Sequence, residues 1–219
     1  MAFICDTEGM FHQVNVNYEH RNLLRFLWWE QGDVERSLVE YRMTVHLFGA
    51  VSSPGCANFA LKTTADDSEE GCGNDPAEFV HHDFYVDDGL KSLPSVEQAI
   101  DLIENTKTLC KKGGFNLHKF ISNRREVIEA IPVEQRTKEL KELDMTKDLL
   151  PIEQALGVQW FMESDELHFR AELKDQPLTR RGILSTVSSV YDPRRSNITI
   201  STQGQDNSPR NLQGWCALR

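Results

Sequence analysis

Phe84-Tyr85-Val86-Asp87-Asp88-Gly89-Leu90 sets two adjacent carboxylates at the bend of an apolar hairpin. The surrounding segment, from Phe79 to Leu93, predicts strand, tight turn, strand. Asp favours turns, and an Asp-Asp pair in a hairpin bend is ordinarily structural or solvated. A third carboxylate changes its weight. Asp6 ends the run Met1-Ala2-Phe3-Ile4-Cys5, which predicts a buried strand over residues 1–6. Charged groups at the ends of buried strands are costly unless something positive meets them. Three carboxylates on neighbouring strand ends repel, and a hard divalent cation with oxygen ligands is the common remedy. Two Mg²⁺ ions about 3.5–4 Å apart can clamp the attacking and leaving oxygens of a displacement at phosphorus. In that chemistry the aspartates hold metal and neutralise charge; they move no proton.

Outward from these strands, residues 10–16 alternate apolar and polar toward their end, as a half-buried segment would. Arg25–Trp29 and Tyr41–Leu47 read as strands separated by the turn signal Gln31-Gly32-Asp33. Ser52 and Ser53 before Pro54 open a helix to about residue 66. Residues 66–78 are acidic, rich in turn formers, and read as a loop. Pro94 and Ser95 open a second helix, with apolar positions Val96, Ala99, Ile100, Ile103, Leu109 and Cys110 near a 3.6 period. Lys111-Lys112-Gly113-Gly114 closes it with cations and then glycine. Phe115–Phe120 predicts a short strand, residues 124–150 carry no clear pattern, and 156–162 with 167–170 read as a hairpin. Thr179 caps a helix to about Val190. After Pro193 the composition turns to Ser, Asn, Gln, Thr and Gly, as in disordered tails.

Composition sets bounds. The chain has 219 residues, 39% hydrophobic and 26% charged, in the range of globular proteins. No stretch approaches the length of a membrane span, so no membrane partner is expected. The first residues lack a secretory signal's basic and long apolar regions. Cysteines at 5, 56, 72, 110 and 216 are odd in number and form no Cys-x-x-Cys pair. Neither a disulfide framework nor a zinc ribbon is supported, and free thiols in a reducing compartment are expected. The net charge of −10 argues against nucleic-acid binding, which relies on Lys and Arg.

Motif order outweighs that charge. Asp6-Thr7-Glu8-Gly9-Met10-Phe11 places an aromatic five residues after an aspartate. Leu47-Phe48-Gly49 and Ser53-Pro54 follow, then Tyr85-Val86-Asp87-Asp88, then Gly113-Gly114-Phe115 with Lys119, then Leu156-Gly157-Val158 with Trp160. This series resembles the palm motifs of reverse transcriptases, and in wording those of the Bel/Pao group of long-terminal-repeat retrotransposons. The resemblance covers about residues 1–193. It implies an α+β fold: a split βαββαβ-like antiparallel palm sheet with helices on one face over 1–150, a primer-grip hairpin and thumb start over 151–193, and the tail 194–219. The implied activity is RNA-directed DNA synthesis with two Mg²⁺ ions (or Mn²⁺) held by Asp6, Asp87 and Asp88. By the same resemblance Phe11 is a steric gate against ribonucleotides, and Phe48, Gly49, Ser53, Pro54 and Tyr85 line the nucleotide site. Many relatives carry Gln where Phe48 stands, so no glutamine role carries over. Lys119 falls near the leaving pyrophosphate, and Leu156, Gly157 and Trp160 form the primer grip. Implied partners are an RNA or DNA template, a DNA primer, deoxynucleotides, and the fingers, RNase H and integrase parts of a polyprotein. The implied location is intracellular, in the cytoplasm or a retroelement particle.

Two departures accompany the resemblance. The fingers expected before the first motif are missing, which predicts a fragment. Residues 194–219 also do not continue the family pattern. Codons can be chosen for 194–214 that, read one nucleotide later, spell a continuation with the family's Lys-Gly-Lys run, so the tail reads as a frameshift product. Three functions follow: a polymerase, an inactive genomic relic that retains a palm, and a nucleic-acid-binding module without catalysis, which the acidic charge disfavours.

Other signals are weaker. Asp6-Thr7-Glu8-Gly9 brushes against the aspartic-protease loop, but Glu8 interrupts it. His81-His82 with Cys72 is a poor zinc set and reads as a polar strand entry. Trp28-Trp29 read as core aromatics rather than a base-stacking platform. Asp66, Asp67, Glu69 and Glu70 read as a solvated acidic loop. Arg180-Arg181 reads equally as a phosphate contact or a solvated helix end.

Overall fold

Ala2–Thr7 (β1) is an inner strand of the main sheet, hydrogen-bonded on both sides. The computed structural model describes residues 1–145, 147–155, 158–168, 179 and 181–182, with the backbone alone at 69–72, 154–155 and 158. The chain falls into two compact units, Met1–Glu142 and Leu143–Arg219. It is a mixed α+β protein with antiparallel sheets. Among the described residues no helix is long and apolar enough to cross a membrane.

In the first unit β1 is followed by Met10–Gln13 (α1), the ribbon strands Arg25–Trp29 (β2) and Leu38–Arg42 (β3), and the helices Ser53–Cys72 (α2) and Asn74–His82 (α3). Phe84–Tyr85 (β4), Asp88–Ser92 (β5), Val96–Lys112 (α4), Leu117–Ser122 (β6), Arg125–Ala130 (α5) and Lys138–Lys141 (α6) complete it. The main sheet has the order β4-β5-β1-β6. One face of it packs against the helices. Phe3 and Cys5 of β1 and Leu117 and Phe120 of β6 join Ala57, Leu61 and Ala65 of α2, Phe79 and Val80 of α3, and Ile103 and Leu109 of α4 in a single core. Phe79 meets Phe3 edge-on at 5.4 Å between ring centroids and Phe84 at 5.0 Å. These contacts tie α3 to both the central and the edge strand.

Several elements differ from expectation. The half-buried segment 10–16 opens as a helix: Gly9, at φ 55°, turns the chain into α1 so that Met10 reaches the core. Only Asn15 then pairs, with Val45. The second ribbon strand lies at Leu38–Arg42, earlier than Tyr41–Leu47. Helix α2 does not stop near residue 66, because its buried stripe Ala57, Leu61, Ala65, Ser68 keeps helical spacing past that point. The acidic stretch 66–78 is therefore no loop. It holds the end of α2, a break at Gly73 (φ 86°), and the start of α3. Asp66 and Asp67 are exposed and helical, and the His81 ring nitrogen lies 2.7 Å from Asp66. His81 and His82 sit in the last turn of α3 rather than at a strand entry. Phe79 likewise belongs to α3, leaving β4 only two residues. The β2–β3 ribbon is open to solvent: Trp28 is 51% exposed, against the expectation of a core aromatic.

Other elements follow the sequence closely. Ser95 caps α4 by accepting a hydrogen bond from the Gln98 N–H. Lys111 and Lys112 occupy its last turn, with Gly113 next. Strand β6 runs two residues later than the expected 115–120.

The second unit holds a three-stranded antiparallel sheet of Ile152–Ala155 (β7), Val158–Phe161 (β8) and Glu166–His168 (β9). Glu163 accepts a hydrogen bond from the Leu150 N–H at 3.1 Å. Thr179 Oγ1 accepts from the Gly182 N–H, the expected capping contact. The rest of that expected helix and the tail 194–219 lie outside the described residues.

Candidate functional site

Alternation along β1 sends Phe3 and Cys5 to the core and Ile4 and Asp6 to the opposite face. On that face Asp6 stands in register with Asp88 across β1–β5 and with His118 across β1–β6. One step further, the Thr7 N–H donates to the Asp87 carbonyl at 2.8 Å. Asp6 and Asp88 are thus the neighbouring non-hydrogen-bonded pair, the kind whose side chains stand closest. Like charges directly opposed in this way destabilise a sheet. Asp87 occupies the two-residue turn between the paired residues Tyr85 and Asp88, with Val86 at φ 57°. All three aspartates are half-buried.

Gly89 shows why this hairpin takes its shape. A Cβ there would lie 2.7 Å from the Phe84 ring and 3.0 Å from Cys5 Sγ. Only glycine lets β5 pass this close to both. The neighbouring Cys5 thiol is pushed well above its ordinary pKa, first by burial and then by Cys110 and the nearby aspartates.

The compensating charge comes from β6. Lys119 Nζ lies 2.6 Å from Asp6 Oδ2, and His118 Nε2 lies 3.2 Å from Asp6 Oδ1. Consecutive strand residues ordinarily point to opposite faces. Here the β1–β6 register shifts between Ile4 and Asp6, so Cys5 faces both Lys119 and Phe120. Lys119 is the extra residue of this bulge, at φ 49°. It turns onto the face of His118, while Phe120 returns to the core. The hydrogen bond to Asp6 raises the Lys119 pKa; desolvation opposes it, and the charges of Asp6, Asp87 and Asp88 add to the rise.

The three aspartates are hard oxygen donors on adjacent strand ends, and their chemistry fits a divalent cation. Among the described residues no three His, Cys, Asp or Glu side chains stand in a metal-holding group.

Around this centre, the Phe11 ring on α1 meets Phe48 at 5.9 Å. Phe11 is half-buried against the core, whereas Phe48 is 84% exposed. Gly49 adopts φ 87° in the approach to α2. Ser53 is buried at the start of α2, its Oγ 3.5 Å from His46 Nδ1, and Pro54 beside it is exposed. Tyr85 is exposed. The structure thus brings together Asp6, Asp88 and Lys119 around the Asp87 turn, and separately Phe11 with Phe48. Trp160 belongs to the second unit, where it is buried and donates to Asp165 Oδ1 at 3.0 Å. Leu156 and Gly157 lie outside the described residues.

His118 was not anticipated as part of the site. Its signal was present in Leu117-His118-Lys119-Phe120, where two polar residues between two core residues break a strand's period of two. A cavity of about 480 Å³ opens beside it, lined in part by Glu8, Lys107, Lys111 and His118. Compared with known proteins, the chain matches no protein-family model and no curated protein.

Proposed function

We propose that this chain carries the palm of an RNA-directed DNA polymerase of the Bel/Pao reverse-transcriptase type. The palm would span residues 1–150, with a primer-grip and thumb segment over 151–193. One observation carries this reading: antiparallel register sets Asp6 opposite Asp88, with Asp87 in the adjoining turn. A hairpin whose two charges were merely solvated has no need of a third carboxylate directly across the ladder. The Phe11–Phe48 contact supports it as well, since both belong to motifs assigned to the nucleotide site.

Asp6, Asp87 and Asp88 would hold two Mg²⁺ ions, which when bound supply the charge that stabilises phosphoryl transfer to a primer terminus. The chain's own residues have distinct tasks. Asp6 and Asp88 place ligands on two strands whose spacing the backbone ladder sets. Phe11 restricts the space beside the sugar. Lys119 supplies a cation on the same face. Template, primer and deoxynucleotides are the partners this reading requires.

The test is primer extension by the full chain on RNA and DNA templates with Mg²⁺ or Mn²⁺. Extension is expected, and Asp87→Asn should lower it about 10²-fold or more, as loss of a group that stabilises transition-state charge does. Absence of extension by the folded wild-type chain overturns the polymerase reading and leaves an inactive relic. Extension that survives Asp87→Asn unchanged overturns the assignment of the site.

A further inference from the structure

The unusual feature of the site is that two consecutive residues of one strand reach the same carboxylate. Lys119 takes Asp6 Oδ2 and His118 takes Asp6 Oδ1, so both oxygens are engaged by the protein itself. This arrangement depends on the bulge and on a left-handed backbone at Lys119, which L side chains rarely adopt. A salt bridge formed by chance needs neither. Among the described residues, moreover, the acidic side chains are not assembled into a metal-holding group.

We propose that His118 and Lys119 form an internal cap on Asp6, which neutralises the Asp6–Asp88 pair in the metal-free protein and must be displaced before a divalent cation can bind. The inference rests on the metal-binding part of the function proposed above. It adds an order of events. A divalent cation competes for Asp6 with two held cationic or hydrogen-bonding groups, so the site stays closed to weakly held ions. When Asp6 turns to the metal, Lys119 Nζ is released on the same face and can meet another anion there. Metal arrival and release of this lysine become one step.

The cap makes a prediction opposite in sign to that of a supporting residue. If His118 and Lys119 positioned Asp6 for metal, removing them would weaken binding; if they cap it, removal tightens binding. Mn²⁺ binding to the full chain, followed by electron paramagnetic resonance of free Mn²⁺, reads the difference without any catalytic assay. Lys119→Met and His118→Ala should each tighten Mn²⁺ binding, by about tenfold for a lost charged hydrogen bond. Lys119→Gly serves as a second variant, because glycine takes φ 49° without strain and keeps the bulge. Lys119→Arg should restore wild-type affinity. In EDTA the variants should melt below wild type, because Asp6 loses one of its two β6 partners beside Asp88, and Mn²⁺ should raise their melting temperature more than it raises that of wild type.

Mn²⁺ affinity that is unchanged or weaker in the folded Lys119 and His118 variants overturns the cap and leaves the metal site standing. Absence of Mn²⁺ binding in every form, wild type included, overturns both.

Discussion

Gly113, the residue that follows α4, lies against Thr64 of α2, and Gly113→Ala measures how strictly that approach is set. A Cβ at Gly113 would lie 2.1 Å from Thr64 Oγ1, 2.4 Å from Thr64 Cγ2 and 2.8 Å from Thr64 Cβ. Rotating Thr64 cannot relieve all three contacts, since its own Cβ is among them. Rotation would also give up the bond from Thr64 Oγ1 to the Ala60 carbonyl at 2.9 Å. Overpacking of this kind costs about 1–3 kcal/mol, and the lost hydrogen bond about 1 kcal/mol more. The backbone offsets part of this: Gly113 sits at φ −89° and ψ 5°, which alanine adopts easily, and alanine in a helical conformation gains up to about 1 kcal/mol over glycine. A net loss of about 2 kcal/mol remains, equivalent to about 6–10 °C in melting temperature for a unit of this size. Circular dichroism melts of the full chain measure it. Gly114→Ala is the control, because Gly114 is left-handed at φ 82° and an added methyl there would meet nothing within 4 Å; its cost is backbone strain alone, about 1–2 kcal/mol. Thr64→Ala should rescue Gly113→Ala only in part, because the 2.8 Å contact persists. A Gly113→Ala protein that melts at or above wild type refutes the packing argument. The consequence reaches the site, because the chain leaves α4 through Phe115 and Asn116 straight into β6, which carries His118 and Lys119.

Two further outcomes are expected. Cys5 keeps its proton in the fold beyond the point where an unfolded thiol loses it, at about pH 8.5. Its contribution is fully present below that pH and is lost as pH rises toward the higher folded value, at up to about 1.4 kcal/mol per pH unit. Urea melts between pH 7 and alkaline pH should show this decline, and Cys5→Ala should flatten it; an equal slope in the variant removes the argument. Phe11→Ala should relax the choice of deoxynucleotides over ribonucleotides by on the order of 10–200-fold, the range a pocket gains from a small steric difference. Competitive incorporation assays measure this, and an unaltered ratio removes Phe11 from the gate.

The sequence was most legible where local chemistry and tertiary position agree. Ser95 and Lys111-Lys112-Gly113 bounded α4 because caps and terminal charges act within one turn. The strand before Asp6 was readable because an apolar run ending in a charge has few other uses. The stretch 66–78 misled for the converse reason. Acidic and small residues signal a loop when taken by composition, but α2 and α3 bury Ala65, Ser68, Pro76 and Ala77 and leave the acids Asp66, Asp67 and Asp75 on the solvent side. Helical spacing decided against composition. The ribbon β2–β3 misled through a packing prior: aromatics in strands are ordinarily core, yet Phe26, Leu27 and Trp28 remain exposed in the first unit.

The site itself shows a sharper limit. Which aspartates share it could be inferred from motif order, because strand ends of a sheet are few. What holds them together could not be read by period. A strict alternation through β6 puts His118 and Lys119 on opposite faces, so at most one of them could reach Asp6. One extra residue against Cys5 brings both to the same carboxylate and keeps Leu117 and Phe120 in the core. Without the bulge, a Lys119 facing Asp6 would still leave Phe120 in the core, but it would turn His118 toward the core and Leu117 out of it. The bulge therefore reconciles two demands on six residues: a continuous core on one side, and two compensating groups on the other for carboxylates that the β1–β5 ladder forces into opposition. The left-handed backbone at Lys119 is the cost of satisfying both, and it falls at the residue whose side chain the charge pair needs most.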